Sequence, residues 1–140
     1  MSAEQNAAAQ EKFGAEVIKS KNLDAIDDLV SPGFVDHDPA PDQGPGPWGL
    51  KDFWKAFHGA SSDLAVEVDK LVADDDCVSI AYRASGTHDG DFLGNAPTGK
   101  SFEVRGLQIG RFEDGRLVER WGSSDQLGIL QQIGASEVPS

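Results

Sequence analysis

Between Phe34 and Gly44 the chain reads FVDHDPAPDQG, which sets one imidazole, His37, between the carboxylates of Asp36 and Asp38. Imidazole titrates near neutrality, so His37 is the residue whose chemistry best suits a general base. A carboxylate within reach of the ring would hold one tautomer and favour the protonated form. On a regular strand, however, Asp36 and Asp38 point to the face opposite His37, so adjacency in sequence does not make a dyad. The alternative reading has His37 simply hydrogen-bonded at a strand end. Asp-His-Asp could also hold a divalent ion, but strand alternation separates its ligands, and no cysteine cluster, H-x-x-x-H or EF-hand spacing accompanies it. No metal site is expected. A serine hydrolase is disfavoured by the lack of a G-x-S-x-G elbow, and GPGPWG lacks the lysine and preceding strand of a phosphate loop.

Other residues could orient a ligand. Tyr82 and Trp121 combine an apolar ring with a polar tip, and Trp54 and Phe57 belong to an aromatic stripe that fills a core or lines a cavity. His88 stands at a strand end before Asp89-Gly90-Asp91, either on a pocket rim or in a solvated loop. Arg105, Arg111 and Arg120 lie in strand-like sequence. Facing inward, an arginine could bind an anionic or carbonyl group; facing outward, it would pair with Glu103 or Glu119.

The elements that must position these groups are legible. Ala3 to Lys19 is rich in good helix formers, and Leu23, Ile26, Leu29 and Val30 recur at helical spacing before Ser31-Pro32-Gly33 ends the segment. Phe34 to Asp38 predicts a short strand, followed by a surface loop through APDQGPGP. From about Trp48 to Ala60, Leu50, Phe53, Trp54 and Phe57 make one apolar helical stripe. Alternation from Leu64 to Val72 and from Cys77 to His88, with Val78, Ile80 and Tyr82 on one face, predicts a hairpin turning at the acidic residues 74 to 76. A second hairpin, Phe102 to Phe112 with Leu117 to Trp121, turns at Asp114-Gly115. Ser123-Ser124-Asp125 can cap a last helix from Gln126 to Ile133, ended by Gly134. Helices first and antiparallel strands after predict an α+β domain. A single domain spanning 1–140 is expected, with frayed ends at about 1–4 and 135–140.

Composition narrows the partners. Asp and Glu number 24 against 12 Lys and Arg, giving a net charge of −12 that repels phosphate backbones and anionic lipid heads. Neither nucleic acid nor a membrane is expected as a partner. The sequence shows no export signal and no apolar run of membrane-spanning length, and its single cysteine, Cys77, cannot form an internal disulfide. A cytoplasmic location fits best.

The order FVDHDP, GLKDFWKAF, SGTHDGDFLGNAPTGK and IGRFEDGRLVERWGSSDQLGILQQIG resembles the SnoaL-like polyketide cyclases, also called predicted ester cyclases, of the nuclear transport factor 2-like superfamily. The resemblance covers nearly the whole chain. It implies a cone-shaped, curved antiparallel sheet wrapped around N-terminal helices, a largely apolar cavity for a small hydrophobic molecule, no cofactor, and a homodimer formed through the outer sheet face. Val78, Ile80, Leu107 and Ile109 are candidates for that face. It also implies ring closure by intramolecular aldol chemistry, yet the family's acid/base histidine and aspartate fall at or near Gln108 and Gly122, neither of which can transfer that proton. Family topology puts Asp125 near the cone mouth, where it becomes the partner expected for His37; its alternative role is to cap the last helix. Gln108 could still bind a carbonyl, and Arg120 shares the parity of Gly122, which makes it the preferred arginine. Three functions stay open: a cyclase or isomerase-type enzyme acting on a polyketide-like or carbonyl substrate, with His37 and Asp125 catalytic and Tyr82, His88, Gln108, Arg120, Trp121, Trp54 and Phe57 binding; a non-catalytic carrier; or a homodimeric interaction module with a vestigial cavity.

Overall fold

The computed structural model describes residues 2–135. Its first helix, α1 (Ala3–Phe13), starts from a capping box: the Ser2 hydroxyl accepts the Gln5 N–H while the Gln5 side chain accepts the Ser2 N–H. The box ties Ser2 to the first turn of α1. Of the expected frayed ends, Met1 and residues 136–140 lie outside the described residues. After α1 the helix widens into a π-helical turn, Gly14–Lys19, and a 3-10 turn, Leu23–Ala25, leads into the short α2 (Ile26–Leu29).

The strand that follows, β1 (Val30–Asp36), begins earlier than the sequence suggests. Ser31-Pro32-Gly33, expected to end the helical segment, does follow its end at Leu29. It lies within the strand, beside the irregularity in β1–β5 pairing between Val30 and Val35, which accommodates a proline without a ladder donor. Next comes α3 (Gly46–Ala60), then β2 (Ala65–Ala73), β3 (Cys77–Thr87), β4 (Ser101–Glu113), β5 (Arg116–Ser124) and α4 (Gln126–Gln132). The two expected hairpins form. Asp114 and Gly115 turn the second with φ of 50° and 80°, the left-handed conformation that a tight two-residue hairpin needs.

The five strands run in the order β1-β5-β4-β3-β2. The sheet is mixed rather than wholly antiparallel, because β1 joins the margin parallel to β5 and lays Asp36 beside Arg120 in register. Its inner face carries Val78, Ile80, Tyr82, Ala84, Phe102, Val104 and Phe112, and the helices pack against it. Val78 and Ile80, expected as outer-face candidates, thus point inward: they alternate in phase with Tyr82, and the odd positions Ser79 and Ala81 face out. Leu107 and Ile109 do face out, at 64% and 43% exposure.

Two core clusters bracket the inner face. One joins Phe13, Val17, Ile26, Phe34 and Leu50 to the β3, β4 and β5 side chains. The other joins Leu64, Ala84, Phe102 and Val104 to Ile129, Leu130 and Ile133 near the carboxyl end. Burial of such side chains contributes about 1.5–3 kcal/mol each. Trp54 packs against both, so α3 bridges them.

Asp63 fastens the α3–β2 connection to the end of β3: its Oδ1 accepts the Thr87 N–H at 2.8 Å and the Ser61 hydroxyl at 2.9 Å, and its Oδ2 accepts the Thr87 hydroxyl at 2.9 Å. These bonds, that from the Thr87 N–H foremost, hold the Asp63 carboxyl below its ordinary value of 3.8. A depressed folded-state value gives stability that is complete above the ordinary value and lost as pH falls through the depressed one. Asp63→Asn should therefore lower the midpoint of thermal unfolding at neutral pH, with the gap from wild type closing as the pH is taken below 3.8. A gap independent of pH would show that the charge is not what matters.

Candidate active site

Between α3 and the inner face of the sheet lies a cavity of about 250 Å³. Its wall is mostly apolar: Trp54 and Phe57 from α3, Val66, Ile80 and Val104 from the sheet, and Phe13 from α1. The stripe spacing of α3 sends Leu50 into the core and leaves Phe53, Trp54 and Phe57 half-buried along the cavity, the Trp54 and Phe57 rings 6.1 Å apart and stacked.

One side of the cavity is polar. Asp36 ends β1 and Arg120 lies beside it on β5, their Oδ1 and Nη1 atoms 3.0 Å apart, with 8% and 17% of the side chains exposed. The carboxylate is held further by the Asp38 N–H on Oδ1 and by Gln43 Nε2 on Oδ2, each at 3.0 Å. Arg120 Nε donates to Gln108 Oε1 at 2.8 Å, and Nη1 also donates to the Asp38 carbonyl at 3.2 Å. With its oxygen occupied, Gln108 has its amide N–H groups without a partner among the described residues, as is Arg120 Nη2. Asp38 Oδ2 accepts the Gly122 N–H at 2.9 Å, and its Oδ1 has no partner among the described residues.

Tyr82 completes this side. Burial raises its ionisation above the ordinary value of 10.0 against the opposing pull of the Arg120 charge and, more weakly, of the Ser124 side chain. The phenol is therefore a neutral donor at physiological pH. Two glycines make the room. A Cβ on Gly106 would stand 2.3 Å from the Tyr82 ring, and one on Gly122 would stand 2.8 Å from Arg120 Nη2. The register pairs Gly106 with Ser124 and Gln108 with Gly122 across β4 and β5.

Of the residues expected at a site, Tyr82, Gln108, Arg120, Trp54 and Phe57 all line the cavity. His37, Asp125, Trp121 and His88 do not. The expected convergence of His37 and Asp125 inside the cone is not what the fold produces. His37 alternates with Asp36 and Asp38 and faces outward, where Nε2 meets Glu119 Oε2 at 2.8 Å and the ring stacks on Trp121 at 4.8 Å. Hydrogen bonds from His37 and then Arg111 hold the Glu119 carboxyl below the usual carboxylate range. Trp121 is out of phase with Arg120 and Gly122, so it belongs to the outer face. Asp125 caps α4, its Oδ1 accepting the Gly128 N–H at 2.8 Å.

His88 is 1% exposed and organises its own loop rather than a substrate. Its Nδ1 accepts the Thr98 N–H at 3.3 Å and meets the Thr98 hydroxyl at 3.0 Å, while Nε2 lies 3.2 Å from the Asn95 carbonyl. This assigns the proton to Nε2. The loop so held places Phe92 against Phe57, ring centroids 6.0 Å apart.

Sequence reasoning passed over Asp36, Asp38 and Gln43. For the two aspartates the signal was present: if one of the three residues of Asp-His-Asp faces out, its neighbours face in. No pattern marks Gln43, which reaches Asp36 only because the proline-rich loop folds back, with Ala40 N–H bonded to Gln43 Oε1 at 3.0 Å.

The family model of the SnoaL-like polyketide cyclases matches residues 8–133. Among solved structures, IdmH of Streptomyces antibioticus, a candidate polyketide cyclase, is 31% identical with a TM-score of 0.79, the match covering 94% of this chain and 99% of that one. TsrD of Streptomyces laurentii is 25% identical with a TM-score of 0.86, covering 96% and 98%. AclR of Streptomyces galilaeus, a candidate hydroxylase, is 26% identical with a TM-score of 0.83, covering 99% and 87%. No curated protein sequence matches significantly.

Tyr82 is the single tyrosine, so its ionisation can be read directly from phenolate absorbance. The midpoint should lie above 10.0. Arg120→Met should move it higher still, because the guanidinium favours the phenolate. An unchanged midpoint in the variant would separate the two side chains electrostatically.

Proposed function

This chain belongs to the SnoaL-like polyketide cyclase family, and from that premise we propose that it is a cyclase or isomerase-type enzyme performing acid/base chemistry with its own side chains on a small, mainly apolar carbonyl compound. The observation that carries the reading is the placement of Asp38. Its carboxylate is bonded to the backbone of Gly122, the position where the family resemblance puts the catalytic carboxylate, and it keeps one oxygen unpartnered among the described residues beside the unpartnered donors of Gln108 and Arg120.

In this mechanism the substrate carbonyl oxygen lies against Gln108 Nε2, Arg120 Nη2 and the Tyr82 hydroxyl, and its chain lies along Trp54 and Phe57. Asp38 takes a proton from the carbon next to the carbonyl. The C–H electron pair becomes the enolate, whose charge the three donors stabilise as it develops. Attack of that carbon on a second carbonyl of the same molecule forms the ring bond, and the Asp38 carboxylic acid returns its proton to the new alkoxide. In an isomerisation the proton returns to a different carbon instead. Asp36 positions Arg120. A carrier would need only the apolar wall; the convergence of two carboxylates, a guanidinium and a phenol supports chemistry over carriage. An open cavity likewise counts against a purely structural module.

The protein should speed deuterium incorporation next to the carbonyl of a model cyclic ketone such as tetralone in heavy water, followed by NMR. Asp38→Asn should lower that rate by about 100-fold or more, whereas His37→Ala and Asp125→Ala should leave it close to wild type. Exchange no faster than in buffer at saturating ketone would sink the proposal, and loss of exchange in His37→Ala alone would return the base to the imidazole.

A homodimer in the cytoplasm belongs to the same proposal. The single cysteine supports the location. The outer sheet face supports the dimer: Leu107, Ile109, Val72 and Trp121 are exposed there, with Ile109 paired directly to Trp121 across β4 and β5. Light scattering at micromolar concentration should give twice the chain mass for the wild type and the chain mass for Leu107→Glu; a monomeric wild type would refute the interface.

A further inference from the structure

Helix α1 and the π-helical turn after it bury one stripe, Asn6, Gln10, Phe13 and Val17, at helical spacing. Two members of that stripe are polar, and they are treated differently. Asn6 spends its Nδ2 on the Asp74 carbonyl at 2.9 Å, at the turn between β2 and β3. Gln10 is only 7% exposed, lines the cavity, and its side-chain amide has no hydrogen-bond partner among the described residues. Unlike Asn6 Oδ1, which is fully enclosed without a partner among the described residues, the Gln10 amide keeps contact with open space, and leucine at this position would complete an apolar stripe.

Its place in the sheet architecture gives the geometry. Helix α1 packs on β2 and β3, whereas Asp36 and Arg120 stand on β1 and β5, at the other margin of the sheet. The cavity between is walled by apolar side chains. We propose that Gln10 is a substrate-binding residue, and that the substrate carries a second oxygen function, a hydroxyl or carbonyl, across the cavity from the carbonyl held at Arg120 and Tyr82. The amide can donate to a carbonyl and can both donate to and accept from a hydroxyl, so either group satisfies it; a hydrocarbon at that point leaves it unpaired. The orientation of the molecule rests on the carbonyl site proposed above, while the placement of a second oxygen beside α1 rests on Gln10 alone. The substrate class is thus a compact, difunctional oxygenated molecule with an apolar middle, rather than a simple ketone.

The test uses a square of ligands on one scaffold, titrated by calorimetry: tetralin, tetralone, the tetralols with a phenolic hydroxyl on the aromatic ring, and the correspondingly hydroxylated tetralones. Wild-type protein should bind the best hydroxylated tetralone about tenfold tighter than tetralone. Gln10→Leu should erase that preference while binding tetralone at least as well as wild type and unfolding at an equal or higher temperature, an outcome that a merely structural glutamine would not give. The proposal is overturned if no hydroxylated isomer outbinds its parent on the wild-type protein, a comparison that needs no variant, or if the preference survives Gln10→Leu. The tetralone-to-tetralin ratio reports separately on the carbonyl site. If that ratio is one while the hydroxyl preference still depends on Gln10, the carbonyl site falls and the Gln10 subsite stands.

Discussion

The ion pair between Asp36 and Arg120 is the contact on which the polar half of the cavity depends. It bridges two strands far apart in sequence, and both partners are largely withdrawn from solvent. A buried pair of this kind is worth little over an apolar substitute, but removing one partner strands the other charge at a cost of about 3–5 kcal/mol. Here the pair acts by fixing geometry. Arg120 is held at Nε by Gln108 and at Nη1 by Asp36, so its remaining nitrogen and the Gln108 amide acquire defined directions. Asp36 in turn gathers the start of the proline-rich loop through the Asp38 N–H and Gln43. The loop then delivers the Asp38 carboxylate to Gly122.

Several inward positions of the sheet carry no side chain, and two of them seat groups that border the cavity. Gly106 and Gly122 alternate in phase with Val104, Gln108 and Arg120, and the space they leave is taken by the Tyr82 ring and the Arg120 guanidinium. Filled by ordinary side chains, these positions would push both groups out of place. The aromatic faces of α3 supply the opposite wall, and the charged groups come from β1, β5 and the proline-rich loop.

Histidine illustrates how far side-chain chemistry is from assigning a role. His37, exposed and stacked on Trp121, strengthens the outer face through Glu119, which also receives Arg111 at 2.6 Å. His88, fully enclosed, acts as the hub of the loop between β3 and β4 and is satisfied at both ring nitrogens. Each has a complete structural explanation. Of the two carboxylates lining the cavity, the one with an oxygen unpartnered among the described residues is Asp38, which by residue type alone looked like a neighbour of the interesting residue.

What the sequence determined by itself was periodicity: the α3 stripe, both hairpins, the left-handed Asp114-Gly115 turn and the cap at Asp125, each fixed by a spacing or a local conformational preference that needs no distant partner. Parity along β4 and β5 was equally legible, so Gln108, Arg120 and Gly122 could be set on one face, and Tyr82 with Ile80, before any fold was known. The parallel entry of β1 was not legible, because pairing between strands so remote in sequence leaves no local mark and the proline within β1 argues against a strand. That single tertiary event chose which of the three residues in Asp-His-Asp entered the cavity. It turned His37 to the outer face and brought Asp36 to Arg120. Side-chain direction on a strand reverses with every residue, so the sequence could offer both answers, and only the register with β5 could select one.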